Sequence, residues 1–179
     1  MYSSQCSLEL GNQKYIEVCA LNNGEPRIDL REFKQTEKSK FPIKKGISLN
    51  LEIFKSLELA TDMVDTAMNK NEDLHYHIWG NIFLTVRSDN PCVDIWKYWK
   101  PESEVNLVPK KGICLRPTEY VHLKSHVRNL EKKFSQLETI VPCFMRDDHQ
   151  NQLGMFRWPT YNPLEYENWW KIKGTKFKH

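Results

Sequence analysis

The chain has 179 residues, enough for one medium domain or two small ones, with 40% hydrophobic and 12% aromatic residues and a net charge of only +3. That composition excludes a wholly disordered chain and a histone-like polycation. Five cysteines without a CxxC pair exclude a zinc ribbon and argue against a disulfide framework, which points to a reducing, intracellular setting.

The N-terminal MYSSQCSLELGNQ has neither the basic start nor the apolar run of a secretory signal, and no stretch approaches a membrane span. The first alternating run is KYIEV, Lys14 to Val18, followed by the turn residues NNGEP. Ile28 and Leu30 then alternate with Asp29 and Arg31 as a second strand. A charged loop leads to KKGISLN, Lys44 to Asn50, where Gly46 suits a tight turn into a short last strand. Asn50 is an N-cap for one helix from Leu51 to Lys70, with Phe54, Leu57, Val64 and Met68 on its apolar face.

The same grammar then recurs. NIFLTVR, Asn81 to Arg87, alternates so that Ile82, Leu84 and Val86 face a core while Phe83, Thr85 and Arg87 face out. SDNP makes a turn, and Val93 and Ile95 match Ile28 and Leu30 at an offset of 65. KKGICLR, Lys110 to Arg116, matches KKGISLN at an offset of 66. Pro117 opens a second helix whose apolar positions, Tyr120, Leu123, Val127, Leu130, Phe134 and Leu137, form a narrow stripe suited to a partner helix. Neither unit alone buries much core, so the expected fold is α+β: two ββββα repeats, residues 12–70 and 76–137, each a curved antiparallel sheet with a C-terminal helix, paired within the chain as a pseudo-dimer. The second repeat carries 10 basic and 6 acidic residues, a mild pull towards a polyanion.

IDLREF with KKGISLN, and VDIWKYW with KKGICLR, resemble the C-terminal domain of the positive cofactor four family of RNA polymerase II transcriptional coactivators. The resemblance implies binding of single-stranded or unwound DNA by a homodimer with paired helices, here written into one monomeric chain, and a nuclear role in transcription. Pur-type single-stranded nucleic-acid binders use a similar paired repeat, and RNA is an alternative ligand.

Carried over by position, the resemblance assigns Arg31 to a DNA-holding arginine that the second copy replaces with Trp96. It assigns Trp99 to a base-stacking tryptophan that the first copy replaces with Lys34. Arg87 is what remains of a basic hairpin. The residues themselves add cations beside flat rings, as a single-strand path requires. Trp96, Tyr98 and Trp99 stand beside Lys97 and Lys100, with Trp96 and Tyr98 outward by alternation and Trp99 inward. Lys44, Lys45, Lys110 and Lys111 read either as solvated strand ends or as phosphate contacts.

The histidine pairs His75/His77 and His122/His126 lack a third ligand at diagnostic spacing, so neither a metal nor another cofactor is expected. No nucleophile constellation or phosphate loop points to an enzyme. The extension 138–179, with Trp158, Trp169 and Trp170, is expected to pack over a sheet or fold on a partner such as a protein of the transcription machinery. The alternative to DNA binding is a protein-interaction scaffold that keeps the fold without the site.

Overall fold

Alternation along the strands decides which side of each sheet becomes core. In the computed structural model the described residues are 3–20, 25–36, 39–99, 108–142 and 145; residues 100–107 and those beyond Met145 lie outside them. Strands β1 (Ser3–Gly11), β2 (Lys14–Ala20), β3 (Pro26–Thr36) and β4 (Ser39–Leu49) form one antiparallel sheet in that order. Strands β5 (Leu74–Trp79), β6 (Ile82–Arg87), β7 (Asn90–Trp99) and β8 (Val108–Leu115) form a second with the same order. Each sheet is followed by helix, so the α+β class and the four-strand units stand as expected.

Each sheet starts one strand before the alternating runs at Lys14 and Asn81. β1 pairs with β2 through a tight turn with positive φ at Asn12 (48°) and Gln13 (62°), and β5 with β6 through Gly80 (58°) and Asn81 (60°). Positive φ at both central residues suits the twist of the flanking strands. The alternation of Leu8 and Leu10 with Ser7 and Glu9 was the legible trace of β1.

The charged loop before KKG is strand. β3 runs to Thr36 and β4 returns from Ser39, and Lys44 and Lys45 sit in a bulge. Arg31 pairs with Gly46 and Phe33 with Pro42, so Ile43, Lys44 and Lys45 stand opposite Glu32 alone. In the second sheet Lys97 pairs with Lys111 and Tyr98 with Pro109, leaving Lys110 as the extra residue. The two glycines are therefore mid-strand sites of close approach, not turns. A Cβ on Gly46 would lie 2.5 Å from Leu30 O, and one on Gly112 would lie 2.4 Å from Ile95 O and 2.5 Å from the Trp96 indole.

The helix expected from Leu51 to Lys70 is two, α1 (Leu51–Leu59) and α2 (Thr61–Lys70), joined at Ala60. Asn50 caps α1 as expected, its Oδ1 accepting from Ile53 N at 2.8 Å. Around Ala60, two carbonyls accept from hydroxyls: Glu58 O from Thr61 Oγ1 at 2.7 Å, and Thr61 O from Tyr120 Oη at 3.1 Å. Side-chain bonds of this kind compete with the helical ladder and bend it. The second helix likewise ends at Lys133 as α3 (Pro117–Lys133), and α4 (Ser135–Thr139) follows an extended Phe134.

The apolar faces of both units merge into one core that includes Ile28, Leu30, Phe54, Leu84, Ile95 and Leu123. Each helix also reaches the other unit's first strand: α3 packs on β1, and α1 packs on β5. Ile53 touches the position a Gly80 Cβ would take, 3.2 Å away, and Glu119 does the same at Gly11, 3.6 Å away. These two residues are each third in their helix, so the contact is made twice in the same way. The apolar stripe of α3 thus faces sheet as well as helix. Between the helices the meeting is polar: Lys55 with Glu131, and Lys124 Nζ with Asp65 Oδ1 at 2.7 Å, a pairing order that makes them antiparallel. Edge strands β4 and β8 lie against each other at the same boundary.

Candidate nucleic-acid interface

On the face of each sheet away from the helices, the strand register builds one aromatic pair. Tyr15 and Phe33 meet edge to face with centroids 5.2 Å apart; Phe83 and Tyr98 do so at 5.4 Å. The backbone supports each pair, Phe33 N donating to Gln13 O at 2.7 Å and Tyr98 N to Asn81 O at 2.8 Å. Exposure does not follow the alternation here. Phe83 and Tyr98 are buried at 4% and 7% exposure, whereas Trp99, expected inward, is 56% exposed. Phe83 and Tyr98 keep the outward parity, away from the helices, and are buried all the same; the extra residue Lys110 lies in β8 and leaves the alternation of β7 intact.

The expected site residues fall into two classes. Lys34, Lys44, Lys45, Lys110 and Lys111 are exposed. Lys45 comes no nearer than 3.9 Å to Glu32, a contact too long to immobilise it. Trp99 belongs with this exposed group. The two arginines each have a partner: Arg87 makes a two-pronged, exposed contact with Asp89 two residues on, Nε at 3.1 Å and a terminal nitrogen at 2.9 Å. Arg31 lies 3.5 Å from both the Asp29 carboxylate and Ile43 O. Trp96 is half-buried over Gly112, and Lys97 is half-buried between Ile82 and Lys111.

One exposed aromatic escaped the sequence reading. Phe41, 50% exposed, pairs with Lys34 across β3–β4, and Trp99 pairs with Val108 across β7–β8. Lys34 and Trp99 are 65 apart, the offset of the repeat, so these are equivalent rungs. Each hairpin shows one ring there, on β4 in the first sheet and on β7 in the second. The signal in the sequence was a phenylalanine among lysines, SKFPIKK, read as loop. Lys40 is the other addition: its Nζ lies 3.1 Å from the Tyr15 ring centroid and 4.2 Å from that of Phe33, capping the first aromatic pair.

The histidines have structural partners. His122 Nδ1 and His126 Nε2 each donate to a β1 carbonyl, Leu10 O and Glu9 O, both at 2.8 Å. Both carbonyls lie at the β1 irregularity between Glu9 and Gly11, so α3 shields an edge strand. His75 Nδ1 is 2.8 Å from Thr85 Oγ1; His75 stacks on Phe83, and His77 packs tilted against the same ring, centroids 4.7 Å apart. Burial pushes the His75 imidazole down to about 3, with His77 adding to it, and pushes His77 down to about 4. Among the described residues no cluster of three or more histidines, cysteines or carboxylates could hold a metal ion.

Strand order, the bulged lysines and the helix end at Leu59 bear directly on kinship. Residues 8–59 match the family model of Transcriptional Coactivator p15 (PC4). The matched segment opens within β1 and closes on the last residue of α1, so it covers a single sheet-and-helix unit. The family is non-catalytic. The second unit repeats the topology outside the matched segment. No curated protein matches the chain. Among the described residues no helix is long and apolar enough to cross a membrane.

Proposed function

We propose that the chain is a single-stranded-DNA-binding protein of the transcriptional coactivator type, with both halves of a family homodimer joined as an intramolecular pseudo-dimer. The observation that carries this reading is the doubled unit. One copy is matched to the coactivator family, and both copies present an exposed aromatic at the same rung of a hairpin that also carries exposed lysines. Bases stack on Phe41 and Trp99, while Lys34, Lys44, Lys45, Lys110 and Lys111 meet phosphates. Arg31, reaching Ile43 O, and Trp96, over Gly112, hold the strands that display them. The family points to work on nuclear or nucleoid DNA during transcription.

The self-paired Arg31 and Arg87 favour a second reading, an interaction scaffold without nucleic acid. Titration of labelled single- and double-stranded oligonucleotides at two salt concentrations separates them. Preference for the single strand, with affinity falling as salt rises, supports the first reading. Absence of binding at low salt leaves the scaffold.

A further inference from the structure

The outer face of the second sheet is dry, and the helices are not what covers it. They lie on the core side, with Leu84, Ile95 and Leu123. On the opposite side His77 and Phe83 are both 4% exposed, and Phe83 and Tyr98 are buried outside that core. The equivalent face of the first sheet differs. From the register, Ser7 and Glu9 hold the places of His75 and His77, opposite Glu17 and Tyr15; both are exposed. The first face has its own pair, Tyr15 and a buried Phe33, but Lys40 caps both rings and serine and glutamate stand beside them. The second adds two histidines to phenylalanine and tyrosine and gains by being covered.

We propose that residues 146–179 of this same chain dock on the outer face of the second sheet, laying aromatic side chains over His77, Phe83 and Tyr98. The segment has 34 residues (179 minus 145) and seven aromatics, Trp158, Trp169 and Trp170 among them. At roughly 3.3 Å per extended residue it is long enough to pass from one side of a small domain to the other. Its two neighbouring tryptophans suit a flat platform of rings. Nucleic acid is a poor occupant, because the imidazoles are held uncharged at neutral pH and offer phosphate no cation. The docked segment closes this face and leaves the first sheet and the hairpin ends as the single-strand path.

Hydroxyl-radical footprinting of the full chain reads Phe83 and Tyr98 directly. In the full-length variant Trp158→Ala/Trp169→Ala/Trp170→Ala their oxidation should rise several-fold, while exposed Trp99 stays constant as an internal standard. Unchanged rates at Phe83 and Tyr98 overturn the proposal. A chain ending at Met145 supplies a second arm. Its raised oxidation should fall back when a peptide of residues 146–179 is added, and rates that stay high in a folded chain count against docking. Light scattering over a concentration series covers the other occupant: protection that tracks a dimer identifies a second copy and overturns the proposal. None of these readouts uses an oligonucleotide, so their failure is distinct from failure of DNA binding.

Discussion

Trp96 and Trp99 are three residues apart on β7, yet their surroundings assign them different roles. Trp96 lies over Gly112, whose missing Cβ makes the room, whereas Trp99 is more than half exposed at the rung next to Val108. Trp96→Ala should therefore destabilise the fold by about 2 kcal/mol, somewhat below the cost of a fully buried aromatic. Trp99→Ala should leave stability within about 0.5 kcal/mol. For single-stranded DNA the order reverses: Trp99→Ala, and Phe41→Ala with it, should each weaken binding about tenfold, the loss of one stacked base. Urea unfolding and oligonucleotide titration of the same variants check both halves. Gly112→Ala should cost about 1–3 kcal/mol, because the new methyl meets Ile95 O and the indole at once. The glycine and the tryptophan were both visible in the sequence. Their contact was not, since it depends on which residues pair across β7 and β8.

At the scale of elements, the two units are joined by helix starts set against hairpin turns. In one direction the contact is apolar, Ile53 at Gly80; in the other, Glu119 reaches into a buried polar cluster. Glu119 is 1% exposed and accepts from Lys14 Nζ at 2.8 Å, Asn12 Nδ2 at 2.6 Å and Arg116 N at 2.8 Å. Burial alone would raise this carboxyl, and the bonds from Lys14, Arg116 N–H and Asn12 outweigh it, holding the group below its ordinary value. Glu119→Ile strands a lysine and an amide and should cost about 3 kcal/mol. Adding Lys14→Met, which makes this contact resemble the apolar one, should restore most of the loss. A double-mutant cycle in urea measures the coupling. The helix periodicity located these elements well. The break at Ala60 escaped it because Tyr120, a residue of the other unit, completes the competing hydrogen bonds.

For the whole molecule, the buried histidines link folding to pH. Their folded values, about 3 and about 4, lie below the 6.5 of a free imidazole, so the unfolded chain takes up protons that the folded chain refuses. Stability should be full above pH 6.5 and fall as the pH drops towards 4, with a slope of at most about 2.7 kcal/mol per pH unit from the two groups. Glu119 works in the same direction at lower pH, since a depressed carboxylate stabilises only while ionised. Urea midpoints at pH 7 and pH 5 test this, and His77→Phe should flatten the difference. An intramolecular pseudo-dimer should also show a midpoint independent of protein concentration, unlike a dimer of separate chains.

The sequence by itself determined the local grammar: two alternating runs, two KKG strands and two amphipathic helices at a constant offset, because each depends on neighbours within a few residues. It could place the lysines but not tell loop from bulge. It could not tell which aromatics would be dry, since Phe83 and Tyr98 face away from the core and are buried all the same. Those outcomes belong to the tertiary structure, where strand register and the partner unit decide burial. The division between exposed Trp99 and buried Tyr98, on adjacent residues of one strand, is set by contacts that lie far away in the chain.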